Sequence, residues 1–422
     1  TMLKKWILMV MGALLLFVSG EAYAAKHKSK SKKSKATVTK SVSKSSKSRK
    51  SSKRSIAKHS KKKGKKRKGG ISYDENAMAA STGNVHAAPM QMIAQNKEKL
   101  FEESYTLLNS MIENENNYSF KKAVFSAENA YLEGNLDTIS INKKIKFLNN
   151  LSKSLIKERF LAYVERDKEK VNKWASVFQV MHDTIPININ DTMYKYEPFG
   201  YDFNDVFGHN RRENLFVSKL LETRKGNCHS LPYLYKILAE ELGVEANLAL
   251  APNHVYIKHR NIKNGWYNTE LTSGMFPIDS WIMASGFVHI DAITNGVYMK
   301  ALNNKESIAL VLIDLADNYN AKFPNNDGTF VLKCCETAIK AYPNFATALI
   351  LRAETHYTQI EKIQDKAKHD LEFKNLEKEY AHIHEIGYRN MPEDMYLNWL
   401  VTLKTERSKY ENKNLNTFTK QK

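Results

Sequence analysis

The chain has 422 residues, of which 65 are Lys or Arg, 45 are Asp or Glu and only three are Cys, for a formal net charge of +20. Three cysteines exclude a disulfide framework as the source of stability. The charge does not describe the whole molecule. Residues 26–70 carry 21 Lys or Arg and no acidic residue, whereas from residue 71 onward 42 basic and 44 acidic residues leave a net of −2.

The first 24 residues read as a signal peptide. Lys4 and Lys5 form a short basic region, Trp6 to Val18 is apolar but short for a membrane span, and Ala22-Tyr23-Ala24 is a cleavage signal. The expectation is an exported protein, periplasmic or extracellular, with an uncleaved N-terminal anchor as the alternative. No cysteine follows the apolar core, so a lipid anchor is not expected. Residues 25–70 form a Lys/Ser-rich tail whose low apolar content cannot offset the entropy of ordering, so disorder is expected. Such a tail binds polyanions by counterion release. In an exported protein these are an anionic membrane or an envelope polymer; a solubilising spacer is the other reading. No aromatic residues interleave the lysines, so no specific nucleic acid is expected.

Residues 71–91 read as a linker. From 92 to 185 the period is helical, with Leu100, Tyr105, Leu107 and Leu108 near one face and Phe120, Ala123, Val124 and Ala127 near another. This is a small helical domain. Between Pro186 and Asn214 the period breaks into an aromatic loop holding Tyr194, Tyr196, Phe199, Tyr201 and Phe203, placed to line a cleft or to pack on the core. Phe216, Val217, Leu220 and Leu221 then give a short helix.

The next fifty residues carry the chemistry. Leu231, Leu234, Tyr235, Leu238 and Leu242 recur at helical spacing over 229–242, with Pro232 in the first turn and Gly243 at the C-terminal cap. Cys228 therefore lies at a helix N-terminus, where free N–H groups and the helix dipole favour a thiolate. A strand over 244–251 follows. His254, Tyr256 and Lys258 share one face of the next strand, Asn264-Gly265 supplies a turn, and Trp266, Asn268 and Glu270 share one face of the return strand. Same-face neighbours across two strands lie close enough for a His–carboxylate contact, direct or diagonal. A base held by a carboxylate beside an activated thiol is the requirement for nucleophilic catalysis. Alternatives are an inert buried thiol with a core histidine, or a metal site from Cys228, His229, His254 and His259. The latter fits no standard zinc pattern, since His254 and His259 face opposite sides of their strand. No metal and no cofactor are expected.

The order Cys, His, carboxylate resembles the transglutaminase-like superfamily, which has a papain-like core. GNCHSL is similar to its Gly-x-Cys helix start, NHVYIK to its His-bearing strand, and GWYNTELT to its Gly-Trp…Asp-x-Thr strand, with Glu270 where the family has Asp. The resemblance implies an α+β fold over 186–295, a Cys-bearing helix packed on an antiparallel sheet, with all-α segments on either side. It implies Cys228, His254 and Glu270 as a catalytic triad, with Asn268 next in line for the third place. The backbone N–H of Cys228 would be one oxyanion donor; Asn227 and the loop around Asn210 are candidates for the second. Asn227, Tyr201 and Trp266 are the expected substrate contacts.

After Thr272, Pro277, Trp281 and Met283 belong to a loop that closes over the sheet edge. Residues 303–410 return to a helical period, in which Ala338, Pro343 and Ala353 are placed as in a tetratricopeptide hairpin, a surface for a protein partner. Residues 411–422 read as a polar tail. The resulting expectation is an exported cysteine hydrolase or acyltransferase acting on protein or peptide amides in the bacterial envelope. The alternative is an inactive binding or scaffold module tethered by its tail.

Overall fold

The computed structural model describes residues 87–415; the signal segment, the basic tail, the linker to residue 86 and the end of the tail from 416 lie outside the described residues. Four helices come first: α1 (Ala87–Glu113), α2 (Phe120–Tyr131), α3 (Thr138–Glu158) and α4 (Lys168–His182). The helix starts are chemically marked. Ser119 accepts the Lys122 N–H at 3.3 Å and Asp137 accepts that of Ser140 at 2.9 Å, each relieving one orphan donor of the first turn.

The aromatic stretch that follows is more ordered than a loop. Strands β1 (Ile185–Ile189) and β2 (Thr192–Tyr196) pair antiparallel around Asn190 and Asp191, whose φ values are +49° and +61°. Two successive left-handed residues make the primed turn that matches strand twist, and Asn and Asp are among the side chains that tolerate it. A two-residue strand β3 (Gly200–Tyr201) then runs parallel to β4 (Lys225–Gly226), on the far side of helix α5 (Val217–Thr223).

Helix α6 (Ser230–Glu241) leads into a three-stranded antiparallel sheet in the order β5 (Asn247–Ala251), β6 (His254–Asn261), β7 (Gly265–Thr269). Ala251 pairs with His254 across a two-residue turn, and Ile257 pairs with Thr269. Short helices α7 (Asp279–Met283) and α8 (Ile290–Thr294) follow, then α9 (Asn304–Lys322), α10 (Thr329–Ala341), α11 (Ala346–Ile360), α12 (Lys366–Glu385), α13 (Glu393–Thr405) and α14 (Arg407–Tyr410). Among the described residues no helix is long and apolar enough to cross a membrane.

The main core is continuous across segments that the sequence divides. Phe101 of α1, Phe120 of α2, Leu234 and Leu238 of α6, Val311 and Leu315 of α9, and Cys334 of α10 belong to one cluster. Each fully buried side chain of this size contributes about 1.5–3 kcal/mol relative to exposure, so α6 is clamped on several sides. Cys334 and Cys335 are both fully buried, and burial pushes their thiols up, as befits packing residues. A second, smaller apolar cluster gathers Cys228, Tyr256, Trp281, Tyr396, Trp399 and Leu403.

Candidate active site

The position of Cys228 is built by three residues around it, Gly226, Asn227 and Ser230. Gly226 is squeezed between two neighbours: a Cβ there would stand 2.4 Å from Ser230 Oγ and 2.9 Å from a Leu220 methyl. Only glycine lets β4 run this close to the start of α6. Asn227 is buried and caps the helix, its Oδ1 accepting the N–H groups of His229 (3.0 Å) and Ser230 (3.1 Å) while its Nδ2 donates to the Val206 carbonyl (3.0 Å). Ser230 Oγ accepts the Asn227 N–H in return at 3.1 Å. The Asn227 side chain is thus committed to the cap, where the sequence pattern proposes a substrate contact. Cys228 follows it in the turn that opens α6.

His254 begins β6, and Glu270 stands just past the end of β7. With Ile257 opposite Thr269 and Lys258 opposite Asn268, His254 and Glu270 are diagonal on one face. His254 Nε2 meets Glu270 Oε2 at 2.5 Å, and the other Glu270 oxygen accepts both the N–H (2.6 Å) and the hydroxyl (2.5 Å) of Thr272. The longer Glu reaches the ring because its second oxygen is pinned by Thr272. Asn268, the reserve candidate, turns elsewhere and donates to the Pro277 carbonyl (3.1 Å) and Asp279 (2.8 Å).

With Nε2 on Glu270, Nδ1 is left for the thiol side, and there it meets the Tyr396 hydroxyl at 3.1 Å. The Cys228 Sγ lies 3.7 Å from the Asn253 carbonyl, which accepts from the thiol when it is neutral. Asn253 occupies the β5–β6 turn with φ +55°. Electrostatics favour the ionised pair. Burial works against the thiolate, but hydrogen bonding and charge from His254, the Tyr396 hydroxyl and the charge of His229 hold Cys228 below the ordinary thiol value. For His254, burial opposes the imidazolium; the Glu270 carboxylate and Cys228 outweigh it and raise the ring to about 10. Burial would raise Glu270, yet the His254 charge and the Thr272 bonds keep it below the usual carboxylate range.

His229, one residue from Cys228, is surrounded by groups that favour a positive charge. Its Nδ1 faces the Leu215 carbonyl (2.9 Å) and its Nε2 faces Asp314 (3.0 Å), whose other oxygen accepts the Tyr233 hydroxyl (2.9 Å). Both ring nitrogens meet acceptors, so the ring has to donate from both. Burial opposes that charge, and Asp314 with the Leu215 carbonyl overcomes it and raises the His229 pKa.

The structure brings together Cys228, His254, Glu270 and Tyr201, keeps Asn227 beside them in its cap, and separates the other candidates. Tyr201 pairs with Gly226 and packs against the Cys228 cluster; its hydroxyl is buried with no partner at full hydrogen-bond distance. Trp266 pairs with Arg260, six residues along β6 from His254, which is about 20 Å at strand rise. Its half-exposed ring therefore lies at the opposite end of the sheet from the thiol. His259, a member of the metal alternative, is stacked on Trp174 with ring centres 4.2 Å apart. Among the described residues no group of three or more His, Cys, Asp or Glu could hold a metal ion. Asn210 sits in an exposed loop whose backbone N–H is held by Asp205.

Sequence reasoning missed Tyr396, Trp399, Asn253 and Asp314. Asn253 and Thr272 had a signal, as the first residue of NHVYIK and the last of GWYNTELT. Tyr396 is 142 residues from its histidine partner and looks like any other apolar position of a helix.

A Cys-bearing helix packed on an antiparallel sheet that carries the His and the carboxylate defines a domain of the cysteine hydrolase or acyltransferase type. Residues 167–325 match the family model described as the transglutaminase-like superfamily, so the chain carries a transglutaminase-like domain there. No curated protein and no solved structure matches the chain. The match ends before the α10–α11 hairpin, and the tetratricopeptide resemblance of that region stands unsupported.

Proposed function

We propose that this protein is an exported cysteine hydrolase or acyltransferase acting on protein or peptide amides in the envelope, with Cys228, His254 and Glu270 as its catalytic triad. The observation that carries the proposal is the buried row from Glu270 through His254 toward Cys228, in which hydrogen bonds and neighbouring charges favour the ionised form of each member. The Cys228 thiolate attacks the carbonyl carbon, and the carbonyl electron pair moves to oxygen. When the tetrahedral adduct collapses, the C–N bond breaks and His254 Nδ1 gives its proton to the departing amine. A thioester remains. Water or a second amine then attacks, His254 takes its proton, and the thiolate leaves.

The backbone N–H of Cys228 is one oxyanion donor, since Asn227 occupies those of His229 and Ser230. Tyr201 is the side chain favoured for the second, because its buried hydroxyl lies within electrostatic reach of Cys228, beside the Tyr396 hydroxyl. Asn227 supports the site indirectly, through the cap. Residues 26–70 would hold the enzyme to anionic membrane or envelope polymer. The test is amide hydrolysis and amine incorporation on a labelled casein by the purified protein and by Cys228→Ala. Equal activity in the two proteins would end the proposal.

A further inference from the structure

The triad is shut away from solvent. Cys228 keeps 8% of its accessible surface, His254 3% and Glu270 1%, so a peptide amide cannot reach Sγ in this arrangement. Part of the cover is α13, which lies outside the family-matched residues. Its Tyr396 is wholly buried and its hydroxyl meets His254 Nδ1, the nitrogen that has to protonate a leaving amine. One turn on, Trp399 stacks on Trp281 at 4.3 Å, and both indoles stand edge-on to the His254 ring at 5.5 and 6.0 Å.

We propose that helix Glu393–Thr405 is a gate whose Tyr396 hydroxyl stands, in the closed state, where the leaving amine of the substrate binds. The inference rests on the acyl-transfer reading of the site. For an amide to enter, the helix has to lift while α6 and the sheet stay folded. Its attachments suit that division of labour. Tyr396, Trp399 and Leu403 belong to the small cluster around the site, whereas α6, α9 and α10 share the main core. Apart from the His254 contact, its polar ties all run to the rim of the site: Asn253 Nδ2 donates to the Met391 carbonyl (2.7 Å), Trp399 Nε1 to the Trp281 carbonyl (2.9 Å) and Trp281 Nε1 to Thr402 Oγ1 (3.3 Å), and Glu393 pairs with His209 (2.8 Å). Its outer face leaves Met395, Leu397 and Val401 exposed, so among the described residues no further layer covers it. Elements with few buried contacts open at lower free energy than the core they cover.

The chain carries its own reference for the test. Cys334 and Cys335 are fully buried in the main core and become reactive only when that core unfolds. The full-length protein is treated with iodoacetamide, and the rate at each cysteine is read by mass spectrometry of its peptides. Cys228 should react at least about tenfold faster than the other two, because a local opening is cheaper than global unfolding. Trp399→Ala, which removes the stack on Trp281 and leaves the triad intact, should raise the Cys228 rate by about a hundredfold with the other rates unchanged. If that variant speeds all three cysteines, it has lost the core; Leu403→Ala, which loosens the same helix without touching the groups that set the Cys228 charge, then decides, with an increase expected at Cys228 alone. Three cysteines reacting in step in the wild-type chain, or a Cys228 rate that neither variant moves, would overturn the gate. The pH profile in Trp399→Ala separates the two claims. A Cys228 rate already near its plateau at pH 7 supports both, whereas a rate climbing through pH 9 keeps the gate and sinks the catalytic role of Cys228.

Discussion

Glu270→Gln is the substitution with the sharpest consequence. The carboxylate accepts from three donors: His254 Nε2, the Thr272 N–H and the Thr272 hydroxyl. A Gln amide has one acceptor oxygen and one NH2 group, so it cannot serve both sides. If its oxygen stays with Thr272, the NH2 faces Nε2, which must then be unprotonated, and the imidazolium is lost. If it turns over, two donors face the Thr272 N–H. A hydrogen bond to a charged group is worth about 1.5–3 kcal/mol, so the thiolate–imidazolium pair should lose about 10- to 150-fold in population. Glu270→Asp keeps the charge and should retain substantial activity. The assay is the pH dependence of Cys228 alkylation together with turnover on a labelled amide. Wild type should stay reactive well below the ordinary thiol range, and the Gln variant should need higher pH. Stability follows the same groups. His254 is raised to about 10, so its contribution is complete below about 6.5 and is lost as pH climbs toward 10. Glu270 is lowered, so its share is present above the ordinary carboxylate value and is lost as pH falls through the depressed one. Wild type should therefore lose more melting temperature than Glu270→Gln between pH 6.5 and 10. Identical alkylation profiles and turnover in the Gln variant and wild type would refute the role of Glu270.

Cys228→Ser and Cys228→Ala should abolish hydrolysis and acyl transfer while leaving the circular dichroism spectrum unchanged; retained turnover would move the chemistry elsewhere. Gly226→Ala forces a methyl within 2.4 Å of Ser230 Oγ, so it should cost about 1–3 kcal/mol and lower both melting temperature and activity; an unchanged melting temperature would show that the close approach yields easily. A chain beginning at Ser72 should keep activity on a small substrate yet lose salt-sensitive pelleting with anionic vesicles, since screening acts on the exposed lysines. Pelleting that survives tail removal or high salt would place the binding surface on the folded part.

Local chemistry made the centre of the site legible. A cysteine at a helix start, a period-2 strand with His254, an Asn-Gly turn and a same-face Glu270 are all short-range signals, and with the family resemblance they convey the α+β domain. The misplacements share a physical cause. Alternation along a strand tells which face Trp266 takes, but not that it stands at the opposite end from His254. Asn227 beside the nucleophile attracts a chemical role, although Asn-x-x-Ser is also a cap signature, and here the cap takes the side chain. The Asn190-Asp191 pair carried a hairpin signal that the crowd of aromatics concealed. Tyr396 and Asp314 were beyond reach, because they meet the site through tertiary packing of helices far along the chain.

The most direct test of the ionised Cys228–His254 pair needs no access to the thiol. Thiolate absorbance at 240 nm is followed from pH 4 to pH 10 in the wild-type protein, with Cys228→Ala subtracted at each pH. The expected result is a one-thiolate difference signal that persists at pH 7, with a midpoint well below the ordinary thiol value of about 8.5. A midpoint at or above that value, with no difference signal at pH 7, would contradict an activated nucleophile at Cys228.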